Sequence, residues 1–313
     1  MARSEGMSYA PKGQSEPVVG PGEFKFAAAH LDHGHIYGQC NGLLEAGAEI
    51  KYVYDTDPSR LKVFQETYPQ AEVADSLDRI LDDPEIRLIS AAAIPCDRGP
   101  IGLNVLDAGK DYFTDKSPFT TLGQLEDARH KVAESGCKYM VYYAERLHQE
   151  AGFHAGELIK QGVIGDVIQV LIMAPHRLSK NKRPNWFFEK DKYGGILTDI
   201  GSHQFEQFLT YAGATEAKVN SARVENFASP DKPGLEDFGE ASLTADTGAS
   251  CYCRVDWFTP DGLGFWGDGR VFVIGTKGTM EIRKYCDPTR GGSDKIFLVD
   301  GEGEKLIECK GRV

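Results

Sequence analysis

Short apolar runs alternate with helix-periodic segments across residues 24–143. The run at 24–31 (FKFAAAHL) predicts a buried first strand, and 49–54 (EIKYVY) a second that ends at Asp55. Further strands are expected at Val73, at 86–93, at 111–114 and at 139–143. Helices are predicted between them at 39–45, 58–68, 100–108 and 122–134, with a short one after Ser76 reaching Leu81. Ser76 serves as an N-cap, and Gly109 and Gly136 close their helices. This alternation builds βαβ units, hence an α/β, Rossmann-type doubly wound parallel sheet that binds ligands beyond the C-terminal strand ends.

From residue 145 the pattern changes. A helix at 152–161 ends at Gly162, and a strand at 166–174 runs into His176-Arg177. Residues 177–191 form a polar, aromatic excursion. After a helix carrying His203, β-rich runs follow at 217–227, 240–244, 250–258, 270–274, 279–285 and 295–298. They predict an α+β domain built on an open, mainly antiparallel sheet with helices on one side. The expected organisation is a flexible arm over 1–23, a first domain over 24–144 and a second over 145–313.

Composition narrows the field. A chain of 313 residues with 41% apolar and 26% charged residues reads as a soluble two-domain globular protein. The net charge of -12 argues against a nucleic-acid surface and against adhesion to anionic membranes. No apolar run reaches the length of a membrane span. Residues 1–23 are rich in Gly, Pro and Ser and lack the apolar core of a signal peptide. Seven cysteines occur without metal-type CxxC pairs, so reduced thiols and a cytoplasmic location are expected.

The chemistry concentrates at a few places. In Gly194-Gly195-Ile196-Leu197-Thr198-Asp199-Ile200-Gly201-Ser202-His203, Asp199 and His203 stand at i and i+4, on one helix face. A carboxylate beside an imidazole makes an acid/base partner for a reacting hydroxyl. In the first domain, the turn after strand one should hold a phosphate. The chain offers Asp32-x-Gly34-x-x-Tyr37 and then Gly38, keeping only the middle glycine of a G-x-G-x-x-G fingerprint. His33, Gly34, His35 and Ile36 are the expected pyrophosphate contacts. Asp55, about twenty residues on, would accept bonds from ribose hydroxyls and repel a 2′-phosphate, which favours NAD over NADP. His30, His33 and His35 match no strong zinc spacing, and no metal is expected. Lys116 stands at a strand end, where desolvation or a nearby positive charge would bring it towards proton-transfer range. Trp186 and Trp266 are candidate walls for a sugar or polyol, and the strand-end His176 is a further candidate substrate contact.

Together these residues resemble the glucose–fructose oxidoreductase / inositol dehydrogenase / rhizopine-catabolism (Gfo/Idh/MocA) family over about residues 24–285. The family's E-K-P strand end is similar to Asp115-Lys116-Ser117. Its G-G-x-x-x-D-x-G-x-H segment is matched by Gly194, Gly195, Asp199, Gly201 and His203. Its aliphatic-Pro cofactor turn resembles Ile94-Pro95-Cys96, which adds Pro95 and Cys96 to the expected cofactor contacts. Its arginine after the sixth strand looks like Arg146, an expected substrate contact. The resemblance implies an NAD-dependent dehydrogenase of a sugar, inositol or similar polyol, with Lys116, Asp199 and His203 as catalytic residues and Lys116 also bridging to the cofactor's nicotinamide ribose. It further implies a homodimer or homotetramer formed through the second domain's sheet, and a final strand and helix beyond residue 313. An NAD-using non-redox glycosidase-type enzyme and a non-catalytic dinucleotide or sugar sensor stay open as alternatives.

Overall fold

The computed structural model of the chain describes residues 6–8 and 16–311. They form two compact units. The first holds the described residues up to Tyr142 other than Gly6, together with Asp191–Gly194. Its elements are β1 (Lys25–Ala29), α1 (His35–Glu45), β2 (Glu49–Tyr54), α2 (Pro58–Thr67), β3 (Glu72–Val73) and α3 (Leu77–Leu81). They continue with β4 (Ile86–Ala91), α4 (Pro95–Asp107), β5 (Asp111–Asp115), α5 (Leu122–Ser135) and β6 (Tyr139–Tyr142). The six strands run parallel in the order β3-β2-β1-β4-β5-β6. Strand order reverses between β1 and β4, which is where a doubly wound sheet opens a ligand crevice.

Two helices start earlier than the periodicity predicts. α1 begins at His35, because Gly34 already has helical angles (φ -63°, ψ -11°) and the preceding turn is tight. α4 begins at Pro95, a residue suited to the first helical turn, where its missing N–H costs no bond. Pro100 lies inside α4 and cannot donate to the carbonyl of Cys96. The Gln124 side-chain amide donates to that carbonyl instead, at 2.8 Å. Of the expected arm, residues 1–5 and 9–15 lie outside the described residues. Further on, Val18 N–H donates to Ala46 O (2.9 Å) and Gly22 N–H to Glu49 (2.8 Å), so this part is tied to the first unit.

The second unit contains Gly6, Tyr143–Lys190 and residues 195–311. It is built from α6 (Ala144–Leu147), α7 (Glu150–Lys160), β7 (Val167–Pro175), α9 (Ile196–Ala212), β8 (Ala217–Glu225), β9 (Phe238–Ala245) and β10 (Ser250–Asp256). β11 (Arg270–Gly275), β12 (Gly278–Arg283), β13 (Lys295–Asp300) and β14 (Gly303–Glu308) complete it. A one-turn helix, α8 (Lys190–Tyr193), precedes α9. The eight strands lie in the order β14-β13-β12-β11-β7-β10-β9-β8, antiparallel throughout except for the β7–β10 pair. Val170, Ile172 and Ala174 of β7 point to the core, where they join Ile200 and Phe208 of α9 and Ala151 and Ala155 of α7. Among the described residues, no helix is long and apolar enough to cross a membrane.

Candidate functional site

In the first unit the chemistry gathers at the C-terminal strand ends. The turn after β1 is pinned to the turn after β4: Ala92 N–H donates to His30 O, and His33 N–H donates to Ala92 O, both at 3.0 Å. Gly34 stands at the N-cap of α1 in a conformation any residue adopts, so no backbone strain calls for a glycine there. Gly38 supplies the tight packing expected of the fingerprint's third glycine, one residue late. A Cβ there would stand 2.4 Å from the Tyr142 hydroxyl.

Asp115 is fully buried at the end of β5. His35 Nδ1 lies 2.9 Å from one of its oxygens, and the other lies 3.3 Å from His33 Nδ1 and 3.1 Å from Arg98 Nη2. Burial alone would raise this carboxyl. The charges of His35, Arg98 and His33, with the His35 hydrogen bond, outweigh burial and hold it well below the usual carboxylate range. Burial, then the neighbouring His35, pushes His33 well below the usual imidazole range. Arg98, itself 1% exposed, also donates to the carbonyls of Ala93 (2.7 Å), Ser117 (3.2 Å) and Lys116. The turn carrying Lys116, which is 8% exposed, is thus clamped from beneath by a buried guanidinium. His33, His35 and Asp115 offer donor atoms within 4.8 Å of one another, a set able to take a cation, though Arg98 already brings positive charge to it. His30 stands apart from that set, edge-on to Tyr54.

Asp55 ends β2 as expected, but its oxygens are engaged. They accept from Leu31 N–H (2.6 Å), Asp57 N–H (2.7 Å) and Arg60 Nη2 (2.7 Å). Arg60 also reaches Asp32 at 3.3 Å. Burial opposes ionisation of Asp55, but the Arg60 and backbone hydrogen bonds win and lower it. Cys96 and Pro95 stand in the first turn of α4, with burial pushing the Cys96 thiol up to about 11.

In the second unit α9 carries two faces. Ile196, Ile200, Phe208 and Tyr211 fill the core, while Asp199, His203, Gln204 and Gln207 are buried as a polar seam. Gly195 (φ 93°) starts the helix and has no side chain to cap it. Glu236 does so from a distance, accepting from Ile196 N–H at 2.9 Å. A closed ring of hydrogen bonds adjoins the seam. Lys284 Nζ donates to Glu145 (2.8 Å) and to Gln207 (3.1 Å), Gln207 to Gln204 (3.1 Å), and Gln204 back to Glu145 (3.2 Å). The second oxygen of Glu145 lies 3.2 Å from His176 Nε2, and His176 Nδ1 lies 3.1 Å from Ala174 O. Burial would raise Glu145; the charges of Lys284 and His203, with the contact to His176, hold it well below the usual range. The His203 ring stands edge-on to Tyr143.

The structure brings His176 and Trp266 together, with ring centroids 4.4 Å apart, and Trp266 packs in turn on Tyr285. Trp186 instead packs against the hydrophobic core beside Phe187. Arg146 is paired with Glu206 of α9, at 2.7 Å from its Nε.

Model matches cover both units. Residues 18–143 match the oxidoreductase family, NAD-binding Rossmann fold, and residues 154–281 match the GFO/IDH/MocA C-terminal domain. The chain belongs to the GFO/IDH/MocA oxidoreductase family. A crystal structure from Erwinia carotovora atroseptica of a protein named only as an oxidoreductase is 47% identical. It covers 93% of this chain and 87% of its own, with a TM-score of 0.90. A levoglucosan dehydrogenase in complex with NADH and levoglucosan has the same fold: TM-score 0.76, 16% identity, 91% of this chain and 80% of its own. A scyllo-inositol 2-dehydrogenase (NADP(+)) of Bacillus subtilis is 26% identical over 51% of this chain and 44% of its own length. The chain spans 42 to 63% of the length of the first curated relatives it matches.

Sequence reasoning missed Glu145, Lys284, Arg98 and Arg60. The available signals were slight: an acid directly after the β6 run, two successive basic residues at the end of β12, and lone arginines in helices.

Proposed function

We propose that the chain is an NAD-dependent dehydrogenase that transfers a hydride between nicotinamide and a hydroxyl-bearing carbon of a sugar, inositol or similar polyol. The observation that carries this reading is the buried acid–base face of α9, in a chain whose other unit belongs to the NAD-binding Rossmann fold family. The first unit's residues suit the cofactor. Gly34 leaves the start of α1 open to a pyrophosphate, with His33, His35, Ile36, Pro95 and Cys96 around it, and Asp55, Asp32 and Asp57 set three carboxylates against one Arg60. That balance disfavours the extra charge of a 2′-phosphate and supports NAD over NADP. When bound, NAD supplies the hydride acceptor.

His203 takes the proton of the reacting hydroxyl in the oxidation direction and returns it in reduction. Asp199 orients a substrate hydroxyl or the ring. Lys116 places positive charge at the strand end and polarises the reacting oxygen. Arg146, His176 and Trp266 contact the polyol, and Trp186 is kept only as a more distant wall because it packs on the core. The outward face of the eight-stranded sheet, with Leu171, Met173, Phe272 and Phe297 only partly covered, supports assembly into a homodimer or homotetramer. The test is a titration with NADH and NADPH followed by nicotinamide fluorescence, then a polyol and sugar screen with NAD. Micromolar NADH binding, weaker NADPH and turnover of a polyol are expected; binding of neither nucleotide overturns the reading.

A further inference from the structure

The ring of Glu145, Lys284, Gln207 and Gln204 is closed on itself, and every member is at most 4% exposed. Its components come from α6, from α9 and from the residue after β12, so it is a tertiary construction. One oxygen of Glu145 is consumed by the ring, through Lys284 and Gln204. The other is left for His176, 3.2 Å away. His176 Nδ1 meanwhile faces the Ala174 carbonyl. Both ring nitrogens of His176 therefore look at acceptors, and a neutral imidazole with a single N–H fills one of the two contacts. His203, on α9, directly precedes Gln204, which donates to the same carboxylate at 3.2 Å, and its ring stands edge-on to Tyr143, two residues before Glu145. Tyr143, just before α6, faces the His203 ring and Glu145 follows two residues on; Asp199 stands one turn back on α9, and Lys284 donates to the Glu145 oxygen that also accepts from Gln204.

We propose that Glu145 and Lys284 are positioning residues: Glu145, kept ionised by the Lys284 ammonium, is the shared carboxylate that stabilises the protonated rings of His176 and His203. The proposal rests on the dehydrogenase reading for its purpose. In alcohol oxidation the carbinol carbon loses its hydrogen with the bonding electron pair to NAD, and the hydroxyl proton passes to His203. NAD is reduced, the alcohol becomes a carbonyl, and the imidazolium formed at His203 is the charge that Glu145 meets. Lys284 has a separate task. A buried carboxylate without a cation takes up a proton and stops acting as a charge. Lys284 prevents this while bonded to the other oxygen of Glu145 from the one that faces His176.

The experiment reads the histidines directly and needs no substrate. The chain has eight histidines, and with 13C-labelled rings each gives an NMR titration curve. His176→Gln and His203→Gln spectra assign the two that matter. In E145Q the midpoints of His176 and His203 are expected to fall by about one unit, the usual size for loss of an adjacent opposite charge. In K284M Glu145 loses the cation that keeps it ionised, so the His176 and His203 midpoints are expected to fall as they do in E145Q. E240Q, which changes a carboxylate on the outer side of the sheet, leaves both in place. If E145Q does not fold, the double variant E145Q/K284M removes both charges together, and the midpoints still fall. Unmoved midpoints in folded E145Q or in the double variant overturn the proposal, and a K284M midpoint at or above wild type overturns the role of Lys284. The acid limb of kcat/KM for polyol oxidation should follow the His203 midpoint. Shifted midpoints in a protein that turns over no polyol would refute the dehydrogenase reading while upholding the carboxylate–histidine coupling.

Discussion

Replacing Arg98 by Met should be among the most damaging single changes in the first unit. The guanidinium is 1% exposed and bonded to Asp115 and to the carbonyls of Ala93, Lys116 and Ser117. Met fills much of the volume, so the cost is electrostatic. Asp115, with no exposed surface, loses its permanent cation, and three carbonyls lose a donor. Removing one partner of a buried ion pair costs about 3–5 kcal/mol. For a domain of this size that is a fall in Tm of roughly 6–20 °C. The pH dependence sharpens the test. Asp115 is held below its unfolded value, so its contribution is present above the ordinary carboxylate range and is lost as pH falls through the lower folded value. Without Arg98 the folded value rises, and the acid unfolding limb should move to higher pH. Thermal unfolding by circular dichroism between pH 4 and 8 measures both effects. The double change R98M/D115L removes the charge with its partner and should be less destabilising than R98M alone. An R98M protein within about 1 kcal/mol of wild type, with an unmoved acid limb, would refute the account of the clamp.

Other outcomes follow from the same geometry. Asp55→Ala should weaken NADH binding by roughly ten- to a hundred-fold, the size of a lost charge-assisted hydrogen bond, and narrow the gap to NADPH in the fluorescence titration. Lys116→Ala and His203→Ala should each lower kcat by about 10²-fold or more in steady-state assays, and near-wild-type turnover in either removes that residue's role. The glycines of the α9 segment should behave oppositely in denaturant unfolding. Gly195→Ala puts a Cβ 2.6 Å from Glu236 at a φ of 93° and should cost about 1–3 kcal/mol. Gly201→Ala meets nothing closer than 3.4 Å and should be neutral or stabilising by up to about 1 kcal/mol.

Where one face of the pattern was continuous, the element was legible. The β2 run at 49–54 and the α5 helix from Leu122, closed by Gly136 at φ 69°, are read with boundaries good to a residue. The starts of α1 and α4 were obscured by glycines and prolines that break periodicity without breaking the helix. β14 reads Gly-Glu-Lys-Leu-Ile-Glu, almost wholly exposed at a sheet edge, so it carries no apolar alternation to detect. The same division holds at the candidate site. Asp199 and His203 were visible because a helix turns four residues into one face. Glu145 and Lys284 are 139 residues apart, and nothing local announces that the end of β12 meets α6. Arg98 looked like any helical arginine; only the fold brings it under the strand end that carries Lys116. Asp55 was expected to face a ribose from its position alone, whereas the Arg60 that holds its carboxylate comes from the next helix.

The polar seam of α9 is hard to explain as a stability device. Each buried ion costs several kcal/mol in lost hydration, and a pair returns this only with good geometry and satisfied neighbours. The ring around Glu145 meets those conditions, which brings it to about break-even rather than to a gain. Apolar residues of the same volume would fill the space without the cost, as Ile196, Ile200 and Phe208 do on the same helix. A protein selected for stability alone would have little reason to keep four mutually dependent polar side chains there. The expected result is therefore asymmetric. The quadruple variant E145L/K284M/Q204L/Q207L should unfold at a denaturant midpoint equal to or above wild type, whereas E145L alone should lose about 3–5 kcal/mol by stranding Lys284. Dehydrogenase turnover should be lost in both. A quadruple variant that is stable and fully active would mean that the seam serves neither folding nor chemistry. One that is inactive yet more stable would show that the ring gives up stability to hold His176 and His203 in a charged setting.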